Sequence, residues 1–503
     1  MRICLYGRVF HIRFKRIPIY AEFLYDPEQS FGQGTITALA RNQVQLRRGW
    51  VMYGNLDTSP VYALVGKMDT PFGLNDTVSP FTNSTNWHAF AGLAFGGQVG
   101  LVTGGLHLRA MIIQGGAQFR SANVPVLGSS VPSRANNFAV DARYTIDALA
   151  PLDRFEVDLD PRFTITSVTV DGAPAQWEAD AGQLVIPLGK TLSTGDSAKV
   201  SIQWSGSHFI AKLLPWEGGF MWDETEDGRP WIATAVQMNG CDMFWPCIDH
   251  PTKEIERLDS AITVPEGLVA AGNGTFVGSE TRDGSTTWRW SARNPNIYGV
   301  ALNIGPYELI EDTYQSHFGN VIPMYFRHLP GNGDKASALL QEMKTYLDFF
   351  EDMIGPYPFA DEKVGLVETP HLGMEHQTIN AYGAKFKPSP LGYDGLAQHE
   401  FSHEWFANQL TNRRPNDMWL QEGFGSYMQP LFQQWRDGEA AYLAAIVGQR
   451  PGLINNSPVV PAEPISTAFY LDADAGWGKD IYSKGSQIAH TLRQLIGDQA
   501  FFS

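Results

Sequence analysis

Cysteine is scarce in this chain: among 503 residues only Cys4, Cys241 and Cys247 occur. So sparse and odd-numbered a set gives no disulfide framework, and although Cys241 and Cys247 could pair, spacing alone does not decide it. No C-x-x-C spacing is present, so a bound metal would have to be held by His and carboxylates. Long apolar runs are missing as well: none reaches 18 residues, which leaves no transmembrane-helix candidate. Positive charge is in deficit, with 37 Lys and Arg against 53 Asp and Glu and a formal net charge of −16. A phosphate backbone calls for a basic stripe, so this balance argues against nucleic acid as the main partner. It would not repel a small peptide carrying a cationic amine. Met1 to Tyr20 contains Arg2, Arg8, Arg13, Lys15 and Arg16 but neither an unbroken apolar stretch nor a small-residue cleavage site, so no signal peptide is assigned. What remains, 43% hydrophobic and 18% charged, is the composition of a globular chain long enough for several domains.

Hydrophobic patterning divides the chain. Residues 1–125 are rich in Gly and aromatics and show period-2 segments: Gln43 to Tyr53, Val61 to Lys67, and Leu106 to Ile113. Asn55-Leu56-Asp57, Thr70-Pro71-Phe72-Gly73 and Gly115-Gly116 punctuate them. Two readings stay open, a soluble antiparallel sheet and a fragment of a transmembrane β-barrel. Four to six strands are legible, too few for a closed barrel, which needs about eight. Residues 126–136 read as a Ser/Gly/Pro/Asn linker. Residues 137–312 form a second β-rich region of sandwich or saddle type, with alternation in Phe155 to Leu159, Phe163 to Val170 and Val200 to Trp204. From 313 to 503 helical spacing dominates. Lys335 to Ile354 is apolar at helical intervals and is stopped by Gly355-Pro356. Val364 to Val367 is a short strand, and helices are expected over Leu396–Leu410, Trp419–Trp435 and about Lys484–Leu495. The fold class expected is multidomain α+β.

Within the helix at Leu396–Leu410 stand His399-Glu400-Phe401-Ser402-His403. Histidines at i and i+4 lie on one helix face and can share an ion, while Glu400 can reach a metal-bound water; this is the His-Glu-x-x-His pattern of zinc peptidases. The bland alternative is an exposed helix with two ordinary histidines. Glu422 follows His403 after 18 intervening residues, on the next helix. Two His and one Glu would bind one Zn2+ and leave a position open for water.

The segments His399 to Phe406 and Trp419-Leu420-Gln421-Glu422-Gly423-Phe424 resemble the gluzincin aminopeptidases, a thermolysin-like family that includes alanyl aminopeptidase and leukotriene hydrolase. The resemblance runs from about 137 to 503. It implies that 137–312 is the family's N-terminal β domain with an incomplete start. It also implies that 313–503 is the zinc peptidase domain, truncated at its C-terminal end, since family members continue with further helices. Leu372-Gly373-Met374-Glu375-His376-Gln377 resembles the family's Gly-x-Met-Glu-Asn segment, which implies that Glu375 binds the substrate's α-ammonium group. Leu372 and His376 depart from that pattern. Gln237, nine residues before Pro246-Cys247, occupies the place of a Gln or Glu that also grips the amine. Cys247 itself reads as a buried structural residue. Tyr482-Ser483-Lys484-Gly485, 60 residues beyond Glu422, resembles a Tyr that stabilises the oxyanion ahead of a Lys-Gly helix start. Separately, Val65-Gly66-Lys67-Met68-Asp69-Thr70-Pro71-Phe72-Gly73 resembles bacterial outer-membrane porins.

The resemblance therefore implies an aminopeptidase with Glu400 as general base and Tyr482 on the oxyanion. Glu375 and Gln237 would hold the amine, and His399, His403 and Glu422 the zinc. Its partners would be peptides with a free N-terminus, with a membrane contact only through residues 1–125; the porin-like start separately suggests a bacterial cell-envelope or periplasmic setting, and a cytoplasmic one stays open. Three rivals stand beside it: a porin-like module with a passenger domain, an endopeptidase on the same scaffold, and a catalytically impaired truncated or hybrid fragment.

Overall fold

The computed structural model describes residues 10–14, 17–25, 44–54, 59–69, 92–103, 106–113, 118–119, 137–211, 213–250, 253–387, 389 and 391–502. The expected linker 126–136, Cys4 and the turns at 55–57, 70–73 and 115–116 lie outside them. The chain divides into two compact units, 1–135 and 136–503. Among the described residues no helix is long and apolar enough to cross a membrane.

The first unit contains a seven-stranded antiparallel sheet in which strands Phe10–Phe14, Ile17–Tyr25, Val44–Tyr53, Val61–Asp69, Gly92–Thr103 and Leu106–Ile113 follow one another in order. Gln118–Phe119 pairs back onto Gly92–Thr103. Four to six strands were legible in the sequence, against the seven of this sheet. Period 2 is plain in Val61–Asp69, where Val61 and Val65 are exposed and Tyr62 is buried. Gly100 lies opposite Tyr62 in register and a side chain there would overlap the Tyr62 ring.

The second unit begins with two sheets. Asn137–Asp147, Ser197–Ser207, Thr164–Val170 and Ala173–Pro174 form one; Leu152–Asp158, Gln183–Leu192 and Glu178–Asp180 form the other. Their facing residues, among them Val157, Ile186, Val200, Ile202 and Trp204, make a buried core. A four-stranded and a three-stranded sheet follow, spanning Gly219 to Gly305. Between the strands of this region, Cys241 and Cys247 form a disulfide, with Cα atoms 6.2 Å apart and both residues buried.

A five-stranded mixed sheet then carries the site. It starts at Glu308, slightly before the expected boundary, and orders Glu308–Gln315, Val321–His328, Val364–Glu368, Asn380–Tyr382 and Gly373–Met374. Helix α1, Gly333–Met353, buries Ala336, Leu339, Leu340, Met343, Tyr346, Leu347 and Phe350. That spacing is one helical stripe, and each of its Leu, Met and Phe side chains, fully buried, contributes about 1.5–3 kcal/mol. The helix ends before Gly355, whose φ of 146° suits glycine. Helices α2 (Gly395–Ser402), α3 (Trp419–Asp437), α4 (Glu439–Gln449), α5 (Thr467–Tyr470) and α6 (Trp477–Ile496) complete the region.

Two expectations need correction. The helix predicted over Leu396–Leu410 stops at Ser402 and passes into a π-type turn at Glu404–Gln409, with Phe406 and Ala407 non-helical. Asn408 N–H donates to His403 O and Leu410 N–H to Trp405 O, five residues back. The helix expected from Lys484 begins at Trp477, so Tyr482 lies inside it rather than before it. Gly478 lets α6 lie against the Tyr470 carbonyl, which a Cβ would overlap.

Helices α3 and α6 cross at Gly423 and Gly485, where a Cβ on Gly485 would lie 2.6 Å from Gly423 Cα. Gly485→Ala should therefore destabilise the fold by about 1–3 kcal/mol through forced separation. Gly448→Ala in α4, where nothing lies within 4 Å of an added Cβ, should be neutral or slightly stabilising. Thermal unfolding of both variants checks the contrast.

Candidate active site

Asp394 starts the metal-motif helix. Its carboxylate accepts from Ala397 N–H at 3.0 Å as an N-cap and from Tyr382 OH at 2.6 Å. His399 of α2 and His403, the residue that caps its end, project to one point. Their Nε2 atoms are 3.2 Å apart, and Glu422 Oε2, from the first turn of α3, is 3.4 Å from His399 Nε2 and 3.3 Å from His403 Nε2. Ligands at about 2.0–2.1 Å around a tetrahedral ion lie about 3.3–3.4 Å from one another, so this triangle has the size of one ion's coordination face. Glu422 Oε2 is buried and makes no hydrogen bond among the described residues. Behind His403, the π-type turn brings Phe406 O to 3.1 Å from Nδ1. A proton on Nδ1 then donates to that carbonyl and leaves the Nε2 lone pair for a metal.

The electrostatics call for a cation here. Glu375, Glu400 and Glu422 are all buried. Burial holds the Glu400 carboxyl well above the ordinary carboxylate range, with Glu375 adding to it. Burial likewise raises Glu375. At Glu422 burial acts in the same direction, but His403 and His399 pull the group below its ordinary value. His403 is pushed up to about 10: burial opposes this, and Glu422 and Glu375 overcome it. Two imidazoles and a carboxylate converging amid further carboxylates fit a divalent zinc-type ion.

The remaining candidates gather at the same place. Glu375 follows the edge strand Gly373–Met374 and is 3% exposed. Gln237 Nε2 donates to Glu375 Oε1 at 2.9 Å and to Glu422 Oε1 at 3.2 Å. Both amide protons are thereby engaged, which leaves the Gln237 carbonyl oxygen as an acceptor. The Tyr482 ring lies 5.7 Å from that of His399, and its hydroxyl is 2.9 Å from Tyr470 OH. Burial raises the Tyr482 phenol well above its ordinary range. All seven sequence-predicted residues line one cavity of about 750 Å³.

Several supporting residues escaped sequence reasoning. Asn408 Nδ2 donates to the Glu375 carbonyl at 2.9 Å. Glu404 accepts from Thr378 N–H at 2.9 Å and from Asn380 at 3.1 Å, fixing the segment after Glu375. Nothing in the local sequence signalled these contacts. Gly373 makes room for Glu400, since a Cβ would lie 2.5 Å from Oε1. Gly425 makes room for His403, with a Cβ 2.8 Å from Cε1. The Gly423-Phe424-Gly425 run inside a helix was the available signal, because helical glycine marks close approach.

Comparison with known proteins finds similarity to metallopeptidases and aminopeptidases. Residues 392–503 match the Peptidase family M1 domain. The matched region holds His399, Glu400, His403, Glu422 and Tyr482. Leucyl aminopeptidase of Saccharolobus solfataricus is 22% identical over 364 residues, covering 67% of this chain and 43% of that protein. Aminopeptidase N of Haemophilus influenzae is 21% identical over 356 residues, 67% of this chain and 40% of its own length. The chain thus spans less than half the length of these relatives. The crystal structure of an M1 zinc metallopeptidase from Deinococcus radiodurans superposes with a TM-score of 0.60 at 23% identity, covering 73% of this chain and 80% of that one. A variant of that peptidase bound to a Tyr-Ser-Ala substrate gives the same TM-score at 22% identity, covering 73% of this chain and 81% of that one. The fold of the M1 metallopeptidases is present, a β-rich N-terminal region followed by a helical C-terminal one.

Gly425→Ala should lower metal affinity by about 10–100-fold, the size of effects transmitted through a ligand's surroundings. Zinc retention after dialysis against a graded chelator series measures this; unchanged retention would mean that the His403 ring has room to spare.

Proposed function

We propose that this protein is a zinc-dependent aminopeptidase that removes the N-terminal residue from peptides. The observation that carries the reading is the bond network from Gln237 to Glu375 and Glu422, which ties an amine-binding carboxylate to a metal ligand in one cavity. The metallopeptidase relatives and the thermolysin-like helix pair support it. In this reading His399, His403 and Glu422 hold one zinc ion. Zinc bound there would supply Lewis acidity toward a carbonyl and a water.

The chain's own residues do the rest. The Glu375 carboxylate and the Gln237 carbonyl oxygen accept hydrogen bonds from the substrate's ammonium group, which fixes how far the chain enters. Glu400, held above the ordinary carboxylate range by burial, is suited to take a water proton and pass it to the leaving amine. Tyr482 keeps its phenolic proton because burial raises it, so it can donate to the oxyanion. The amine requirement separates this reading from an endopeptidase. Neither a porin-like role for residues 1–125 nor an inactive fragment is favoured by any contact in the site.

Glu400→Gln should keep stoichiometric zinc and lower kcat on an aminoacyl-arylamide by about 10²–10⁴-fold. Wild-type turnover in that variant would sink the assignment of the base. An N-acetylated peptide should be cleaved far more slowly than the free one; equal rates would make the enzyme an endopeptidase.

A further inference from the structure

Tyr298 stands outside every motif discussed so far. It lies in the short 3-10 turn Ile297–Gly299 of the β region and does not line the cavity. Its hydroxyl donates to Glu375 Oε1 at 3.0 Å, the same oxygen that receives Gln237 Nε2 at 2.9 Å. We propose that Tyr298 is a positioning residue for amine recognition: with Gln237 it saturates Glu375 Oε1 and leaves Oε2 as the acceptor for the substrate's ammonium group. This rests on the aminopeptidase reading above.

A buried carboxylate offers about four acceptor directions over two oxygens. Left alone, it can rotate about its terminal bond and present either oxygen. Two donors converging on Oε1 from different segments remove that freedom. Gln237 alone is a poor lock, because its amide is shared with Glu422 and can follow that residue. Tyr298 has an independent anchorage. Its N–H donates to Asn296 Oδ1 at 3.3 Å, and Asn296 is wholly buried. Asn296 in turn donates from its N–H to Gln377 Oε1 at 2.9 Å and from Nδ2 to Thr411 Oγ1 at 2.6 Å. The turn carrying Tyr298 is therefore clamped to the segment just after Glu375 and to the residues just after the metal-bearing helix. The ring packs beside Leu214, Ala235 and Met374. The phenol, raised by burial and by Glu375, stays a donor throughout the working pH range, so the lock is always closed. A carboxylate held this way is pre-organised for one ammonium position.

Tyr298→Phe deletes the hydroxyl and keeps the ring. The zinc-loaded full chain should then show KM for leucyl-arylamide raised by about tenfold, the effect of one lost hydrogen bond to a charged group, with kcat within about twofold. Calorimetry supplies a readout independent of turnover: L-leucine should bind the variant about tenfold more weakly, while N-acetyl-leucine binding stays unchanged. Equal leucine affinity in both proteins, or parallel weakening of leucine and N-acetyl-leucine, would overturn the proposal, as would a fall in kcat with KM unchanged. A wild-type chain that binds leucine through its amine but does not cleave the arylamide would refute the enzymatic reading and leave the role of Tyr298 to be decided by the calorimetric comparison.

Discussion

Everything around the site answers to one constraint: Glu375, Glu400 and Glu422 are buried together in one cavity. Carboxylates so placed repel one another, and burial alone would push protons onto them. The fold responds with two imidazoles that converge on Glu422 and are suited to hold a divalent ion, and with neutral donors on the carboxylate oxygens. Gln237 and Tyr298 perform that second task at Glu375, while Asn408 holds its backbone carbonyl. The same constraint explains why the second unit cannot be reduced to its helical part. Gln237 and Tyr298 come from the β region, and without them Glu375 would face the other acids with no side-chain donor among those described.

Close approach is the second requirement, and glycine meets it. Gly373 admits the Glu400 carboxylate, Gly425 admits His403, and Gly423 with Gly485 lets α3 and α6 touch backbone to backbone. Glu422 is carried on α3 and Tyr482 on α6. The crossing therefore sets the separation between the proposed metal ligand and the proposed oxyanion donor.

How much of this was readable follows from range. Contacts set by local periodicity were legible: the paired histidines one turn apart, the stripe of α1, and the alternation of the β region. Glu422, Glu375, Gln237 and Tyr482 were reachable through family resemblance, and they do converge on one cavity. Tertiary demands overrode the local signal elsewhere. Nothing in Glu404 to Gln409 breaks a helix by propensity. The π-type turn there brings a carbonyl to His403 Nδ1, in keeping with the frequency of such turns at functional sites. Tyr298 was invisible, since its relation to Glu375 spans 77 residues and no local pattern encodes a bond of that range.

The departure at His376 bears on how the amine end is built. In place of an Asn that could bond its neighbours, this chain has an imidazole that is fully buried, with both nitrogens unpaired among the described residues. Burial keeps it neutral by lowering its pKa, and nearby His371 adds to that effect. It can therefore sit beside Glu375 without adding charge to the cluster, but it gives Glu375 no hydrogen bond. The work of holding that carboxylate then falls to groups contributed from a distance. The buried His376 ring adds no hydrogen bond there, and the β region supplies the donors to Glu375 instead. The Glu375 end of the cavity therefore depends on contacts between regions, whereas the triangle of His399, His403 and Glu422 depends mainly on two neighbouring helices.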